Sequence, residues 1–160
     1  MFEFIKTKEA KQIGLDKGID FTPIRATAGS SGYDLRACIQ DTVALYPGQT
    51  FKFPTGIALH IGELPDKDLS LYNKICGLLL PRSSNPGMFL VNTVGLLDSD
   101  YQGELFLKYL NIADNIIYIK PGDRIGQLVL THSFLPPLTE VEEFKEATDR
   151  GTKGFGSTGK

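Results

Sequence analysis

Apolar residues recur in this chain with a period of two, in runs too short for helices and cut at both ends by Gly, Pro, Asn or Asp. Ile57, Leu59 and Ile61 alternate with Ala58 and His60 between Gly56 and Gly62, and Phe51 and Phe53 form a strand leading into that one. Similar runs occupy residues 74–80, 87–92, 103–112, 115–119 and 124–130. Successive side chains of a strand point to opposite faces, and turn residues at both ends mark its limits. In 103–112, Leu105, Leu107 and Tyr109 share one face while Phe106, Lys108 and Leu110 share the other, so cover on both sides is expected. YPGQ at 46–49 and KPGD at 120–123 read as tight turns. Many short strands with Pro/Gly turns imply a sandwich, barrel or related all-β fold. One short helix is expected at 139–144, where Thr139 offers a hydroxyl cap, Glu142 and Glu143 lie early, and Val141 and Phe144 are three apart. PDKDLSLYN at 65–73 reads equally as loop or helical turn.

A chain of 160 residues is one domain's worth of protein. It should fold to roughly 7,900 Å² of surface from about 25,500 Å², enough burial for a core without staples. With 17 Lys and Arg against 19 Asp and Glu, the net charge of -2 argues against a basic face for duplex DNA, and no nucleic-acid partner is expected. Cys38 and Cys76 lie in or beside apolar stretches and read as buried free thiols. His60 and His132 have no partner at ligand spacing and read as core or structural histidines. No uncharged stretch exceeds 15 residues, and one of that length, 83–97, contains Asn85, Pro86, Gly87 and Asn92 and falls short of the ~20 apolar residues of a membrane span. MFEFIKTKEAKQ at the start lacks a signal-peptide core. A soluble cytoplasmic protein without a membrane partner is expected, or one inside a host cell if the source is viral. From 145 to 160 the apolar residues are Ala147 and Phe155 alone, which suggests a flexible arm after a domain spanning 1–144.

Four stretches carry groups that could do chemistry. Arg150, Gly151, Gly154, Gly156, Ser157 and Thr158 supply the N–H groups, hydroxyls and cation that wrap phosphate, with Phe155 as a surface for stacking on a base. A disordered polar tail explains the same residues. Pro81-Arg82-Ser83-Ser84 places a guanidinium fork and hydroxyls at a strand end, suited to phosphate oxygens, and a surface turn accounts for it as well. In 95–103, one carboxylate of Asp98 and Asp100 could orient or deprotonate water while the other caps the turn at Gln102-Gly103; an Asx-turn explains both without chemistry. Asp34 and Asp123 are single carboxylates, and no four-oxygen metal cage is evident. Mg²⁺ carried in by a polyphosphate is compatible with that, because it keeps its waters.

Taken in order, AGSSGYDLRA (28–37), PRSS (81–84), GLLDSDYQGEL (95–105), GDRIGQLVL (122–130) and RGTKGFGSTG (150–159) resemble the five motifs of the trimeric deoxyuridine triphosphate nucleotidohydrolases, the dUTPases. The resemblance runs from about Gly14 onward. It implies a distorted β-barrel or jelly-roll-like β-prism, and a homotrimer whose shared active sites are each closed by a C-terminal arm from a neighbour. The implied reaction is dUTP plus water to dUMP and pyrophosphate, with Mg²⁺ as cofactor. By the same resemblance, Asp98 orients the attacking water, Tyr101 packs against deoxyribose, and Asn92, with Gly95 and Leu97 of the same hairpin, lies near uracil. Arg82, Ser83, Ser84 and Gln127 are implied phosphate contacts. Asp34 is implied to reach Mg²⁺ through water. Arg150, Ser157 and Thr158 are implied to take the terminal phosphate while Phe155 and Gly156 cover the base.

Lys153 stands where the family's fifth motif usually has glycine, the loop at 86–89 is shorter than in many relatives, and 63–73 looks like an insertion able to carry a protein partner. A dCTP deaminase, or a bifunctional deaminase–dUTPase with Glu104 as base, is the nearest alternative enzyme. A non-catalytic trimeric nucleotide sensor is the alternative of another class.

Overall fold

The computed structural model describes residues 2–62, 73–149 and 151–152. The elements in chain order are β1 (Phe2–Lys6), α1 (Lys8–Lys17), β2 (Tyr33–Arg36), β3 (Val43–Leu45), β4 (Thr50–Ile61), β5 (Asn73–Pro81), β6 (Met88–Leu90), β7 (Gly95–Leu97), β8 (Glu104–Asn111), β9 (Ile117–Ile119) and β10 (Arg124–Phe134). One sheet has the order β1-β4-β8-β6, a second β2-β10-β5-β7, and β3 pairs with β9 alone. All these pairings are antiparallel. The arrangement is the β-rich, jelly-roll-type fold expected above. No helix among the described residues is long and apolar enough to cross a membrane.

A single apolar cluster draws on both large sheets: Phe53, Ile57 and Ile61 from β4, Leu105 and Leu107 from β8, Leu35 from β2, Ile125 and Leu128 from β10. Each such side chain, fully buried, contributes about 1.5–3 kcal/mol. Polar crossbars run through the same interior. The Tyr109 hydroxyl of β8 donates to the Ile125 carbonyl of β10 at 2.6 Å, joining the two sheets. Asn111, fully buried, donates to the carbonyls of Leu45 and Asn115 at 2.7 and 2.9 Å and accepts from the Ala113 N–H. Satisfied in this way, a buried amide fixes register instead of costing stability.

Five expectations are corrected. Residues 139–144 form no helix. Val141 and Phe144 are both exposed, Phe144 at 93%, so the apolar pair has too little to pack on, and so short a helix does not stand alone. The helix lies instead at 8–17, where Thr7 Oγ1 accepts from the Ala10 N–H at 3.2 Å, Gly18 closes the C-terminus in the left-handed region, and Ala10 and Ile13 are buried. The strand at Phe51 and the strand at Ile57 are one, β4, interrupted by a register shift between Pro54 and Ala58. The outer face of β8 is only half covered: Lys108 is exposed, and Phe106 lies beneath the Lys52 ammonium, 3.9 Å from its ring centroid. His60 and His132 sit at exposed strand positions, outside the core. Cys38 is buried as expected, whereas Cys76 is half-buried. Both PG turns form, with the Gln49 and Asp123 N–H groups closing on the Tyr46 and Lys120 carbonyls.

Candidate active site

Three strands assemble the first half of the site. In β2-β10-β5, Asp34 lies opposite Gln127, and Gln127 opposite Leu80, so residues distant in sequence meet at one end of the sheet. There the two Asp34 oxygens are taken separately. Oδ1 is 2.9 Å from Arg82 Nε, and Oδ2 is 3.0 Å from Arg124 Nη1. The Asp34 carboxylate is only 10% exposed, and a carboxylate so desolvated needs such partners. With two guanidiniums against one carboxylate, the cluster keeps one uncompensated positive charge. Asn85 anchors the turn beyond Arg82 by donating to the Ile125 carbonyl at 3.0 Å, and Gln127 Nε2 donates to the Pro81 carbonyl at 3.0 Å. Ser83 and Ser84 are exposed on that turn. Arg82, Ser84, Tyr118 and Arg124 border a groove of about 460 Å³ beside it. The arrangement suits an anionic ligand with several oxygens.

The second half hangs on the segment from β6 to β7, which is not the hairpin expected above, because β6 pairs with β8 and β7 with β5 in the other sheet. Residues 91–94, including Asn92, are exposed, while Gly95 and Leu97 are buried against β5, with Leu97 opposite Gly77. The chain then turns. The Tyr101 N–H meets the Asp98 carbonyl at 3.2 Å, and the Tyr101 hydroxyl donates to the Glu104 carbonyl at 3.0 Å. Leu97, Asp98, Tyr101, Glu104 and Phe106 line a groove of about 230 Å³. Asp98 is exposed at this groove, and no described side chain bonds its carboxylate.

Within one chain the two halves lie apart. Asp98 directly follows Leu97, which pairs with Gly77 in the middle of β5, whereas Arg82 follows Pro81 at the C-terminal end of that strand. Five residues along the strand separate the Gly77 and Arg82 levels, a distance of roughly 17 Å. The structure thus brings Asp34, Arg82 and Gln127 together, with Ser83 and Ser84 beside them, and groups Asn92, Gly95, Leu97, Asp98 and Tyr101 elsewhere. Arg150, Phe155, Gly156, Ser157 and Thr158 lie outside the described residues, as do Lys153 and all of the 63–73 stretch except Asn73, which opens β5.

Arg124, Asn85 and Glu104 hold these halves in shape, and sequence reasoning did not assign them those tasks. Arg124 could have been suspected from its place three residues before Gln127 in GDRIGQLVL. Nothing local marks Asn85. Glu104 accepts the Gly56 N–H on Oε1 at 2.8 Å, so its carboxylate is engaged with the backbone, unlike a free deaminase base.

No group of three His, Cys, Asp or Glu side chains able to hold a metal ion occurs among the described residues. Asp34, the carboxylate expected near Mg²⁺, already serves two guanidiniums. This donor set does not make a resident metal cage. It fits a hydrated cation that arrives on substrate phosphates and asks the protein for little.

The dUTPase family model matches residues 21–159. The chain belongs to the dUTPase family. The deoxyuridine 5'-triphosphate nucleotidohydrolase of Hydrogenovibrio crunogenus is 44% identical over 140 residues, 86% of each chain. In structure, the dUTPase of Staphylococcus bacteriophage 80alpha with dUPNHPP superposes with a TM-score of 0.74 at 26% identity, over 99% of this chain and 98% of that one. A variant of the dUTPase from phage phi11 of S. aureus, described with a structural Mg(II) ion, shares the fold at a TM-score of 0.68 and 22% identity, over 91% of this chain and 99% of that one. Both clusters, Asp34–Arg82–Gln127 and Asp98–Tyr101, fall inside the span matched by the dUTPase model.

Proposed function

We infer that in this chain, which hydrolyses dUTP to dUMP and pyrophosphate as its family does, Asp98 orients and deprotonates the attacking water. The carrying observation is the Asp98 carboxylate, exposed at a groove flanked by Tyr101 and bonded by no described side chain, in a chain matched by a nucleotidohydrolase over 86% of its length. A bond forms from the water oxygen to the α-phosphorus while the bond to the bridging oxygen of pyrophosphate breaks, and the water proton passes to Asp98. A dissociative phosphoryl transfer asks the protein mainly for placement and charge stabilisation. Arg82, with its Nε fixed on Asp34, presents its remaining N–H groups to phosphate oxygens, and Ser83, Ser84 and Gln127 border the same anion. The ring of Tyr101 packs on deoxyribose and refuses a 2′-hydroxyl. The segment of Asn92, Gly95 and Leu97, running from β6 through β7, receives uracil.

Mg²⁺ riding on the phosphates supplies charge neutralisation when bound, with Asp34 the carboxylate nearest its water shell. Arg150, Ser157 and Thr158 of an arm spanning 145–160 hold the terminal phosphate, while Phe155 and Gly156 cover the base.

The functional unit in this reading is a homotrimer in which the Arg82 half of one copy faces the Asp98 half of the next. The separation of roughly 17 Å between the two halves along β5 supports it, since a phosphate held at Arg82 sits well away from the Asp98 groove of the same chain. Exposed Phe89, Val94 and Leu96 around the β6–β7 segment supply apolar surface for that contact. Replacing Asp98 by Asn tests the assignment. Turnover of dUTP should fall by roughly 10²–10⁴, while a non-hydrolysable dUTP analogue still binds. Retained turnover would remove Asp98 from the mechanism.

A further inference from the structure

Tyr101 is held from behind. Its side chain folds back across Gly103, where any Cβ would collide with the phenol oxygen, and its hydroxyl donates to the Glu104 carbonyl at 3.0 Å. Glu104 opens β8 and is itself tied down through its carboxylate, which accepts the Gly56 N–H at 2.8 Å. Gly56 sits in the register shift of β4 with φ of +71°, a conformation that side-chain-bearing residues rarely adopt. Its carbonyl takes the Thr7 N–H at 2.9 Å, and a Cβ there would meet Cys38 Sγ at 2.8 Å, so Thr7, Cys38 and Ala10 leave the bulge no slack. A continuous set of bonds therefore runs from the α1 N-terminus through Gly56 and Glu104 to the phenol of Tyr101.

Resting on the assignment of Tyr101 to the sugar, we propose that Glu104 is a positioning residue for sugar discrimination: by pinning the β4 bulge with its carboxylate and the Tyr101 hydroxyl with its carbonyl, it fixes the ring that excludes a 2′-hydroxyl. A ring free to swing by an ångström admits the extra oxygen of UTP; a ring anchored at its far end does not. Steric refusal depends on how stiffly the refusing group is backed, because a soft wall yields to the larger substrate. Glu104 acts only through Tyr101, so its loss should move the ratio of kcat/KM for dUTP over UTP more than it moves kcat for dUTP.

The test measures that ratio in Glu104→Ala, Glu104→Gln, Tyr101→Phe and Tyr101→Ala. Gln keeps a carbonyl oxygen for the Gly56 N–H, and E104Q should hold the parent ratio within a few-fold; E104A should lose roughly ten-fold of it, chiefly through a lower KM for UTP. Y101F, which keeps the ring and deletes only the exposed hydroxyl, should fall in the same direction and needs no refolding of the bulge. Parent-like ratios in both E104A and Y101F, with Y101A collapsed, overturn the role of Glu104 while leaving Tyr101 at the sugar. A parent-like ratio in Y101A overturns the sugar assignment and the proposal with it.

Discussion

At the scale of single residues, Asp34 orders the two arginines proposed to bind phosphate. Its two oxygens divide Arg82 from Arg124, so each guanidinium is held in one orientation before any phosphate arrives. Such preorganisation spares the ligand the cost of ordering long side chains. Removing Arg124 should therefore act at a distance: in Arg124→Gln, KM for dUTP should rise roughly ten-fold with kcat changed less, because Arg82 loses its counterweight. Steady-state kinetics read the split directly. Asp34, Arg82 and Gln127 were picked out in the sequence only through the motifs that hold them, and the structure brings the three together. Arg124 lies in the same motif as Gln127, but its bond to Asp34 depends on the β2–β10 register, which pairs Arg124 with Arg36 and Gln127 with Asp34 and cannot be read from spacing along the chain.

Among the elements, the strands were the legible part, because alternation and turn residues are local signals. Helix α1 was not, although its cap residues Thr7 and Gly18 stand in plain view. Only Ala10 and Ile13 of its ten residues are buried, so the apolar stripe that normally announces a helix is nearly missing. The reverse error at 139–144 has the same root: a cap and an apolar pair make a helix only where a surface receives the pair. The capping bond of α1 is a separable contribution. Thr7→Ala should lower stability by about 1 kcal/mol, measured by urea unfolding, with dUTP turnover unaltered at saturating substrate. A loss too small to detect would mean that β1 and the β4 bulge hold the helix start without its cap.

For the molecule as a whole, burial sets an alkaline limit. The interior pushes the Cys38 thiol up to about 11 from 9.0 and the Tyr109 phenol up to about 12 from 10.0, in both cases chiefly by desolvation. Each group stays neutral in the fold at a pH where the unfolded chain already ionises. Their stabilisation is complete below pH 9 and is lost as pH rises through the window from 9 to 12. Unfolding free energy should fall by at most about 1.4 kcal/mol per pH unit for each group once it ionises in the unfolded chain. Cys38→Ala should flatten the first part of that decline, as chemical unfolding at pH 8 to 10.5 would show. An equally steep slope in the variant would place the alkaline sensitivity elsewhere.

Assembly belongs to the same scale. For the homotrimer proposed above, light scattering should give three times the 17.6 kDa chain. A site composed from two copies, as proposed above, is not legible from one sequence by physics alone, because no pattern within a chain states which half faces a neighbour.

The central claim is hydrolysis of dUTP, selected at base and sugar. Its most direct test is pyrophosphate release by the purified protein with Mg²⁺, comparing dUTP, dTTP, dCTP and UTP, beside the same protein carrying Asp98→Ala. The account predicts release from dUTP alone, lost in the variant. Release from dCTP would instead indicate the bifunctional deaminase chemistry, and no release from dUTP by a folded trimer that binds it would contradict the account and leave a nucleotide sensor in its place.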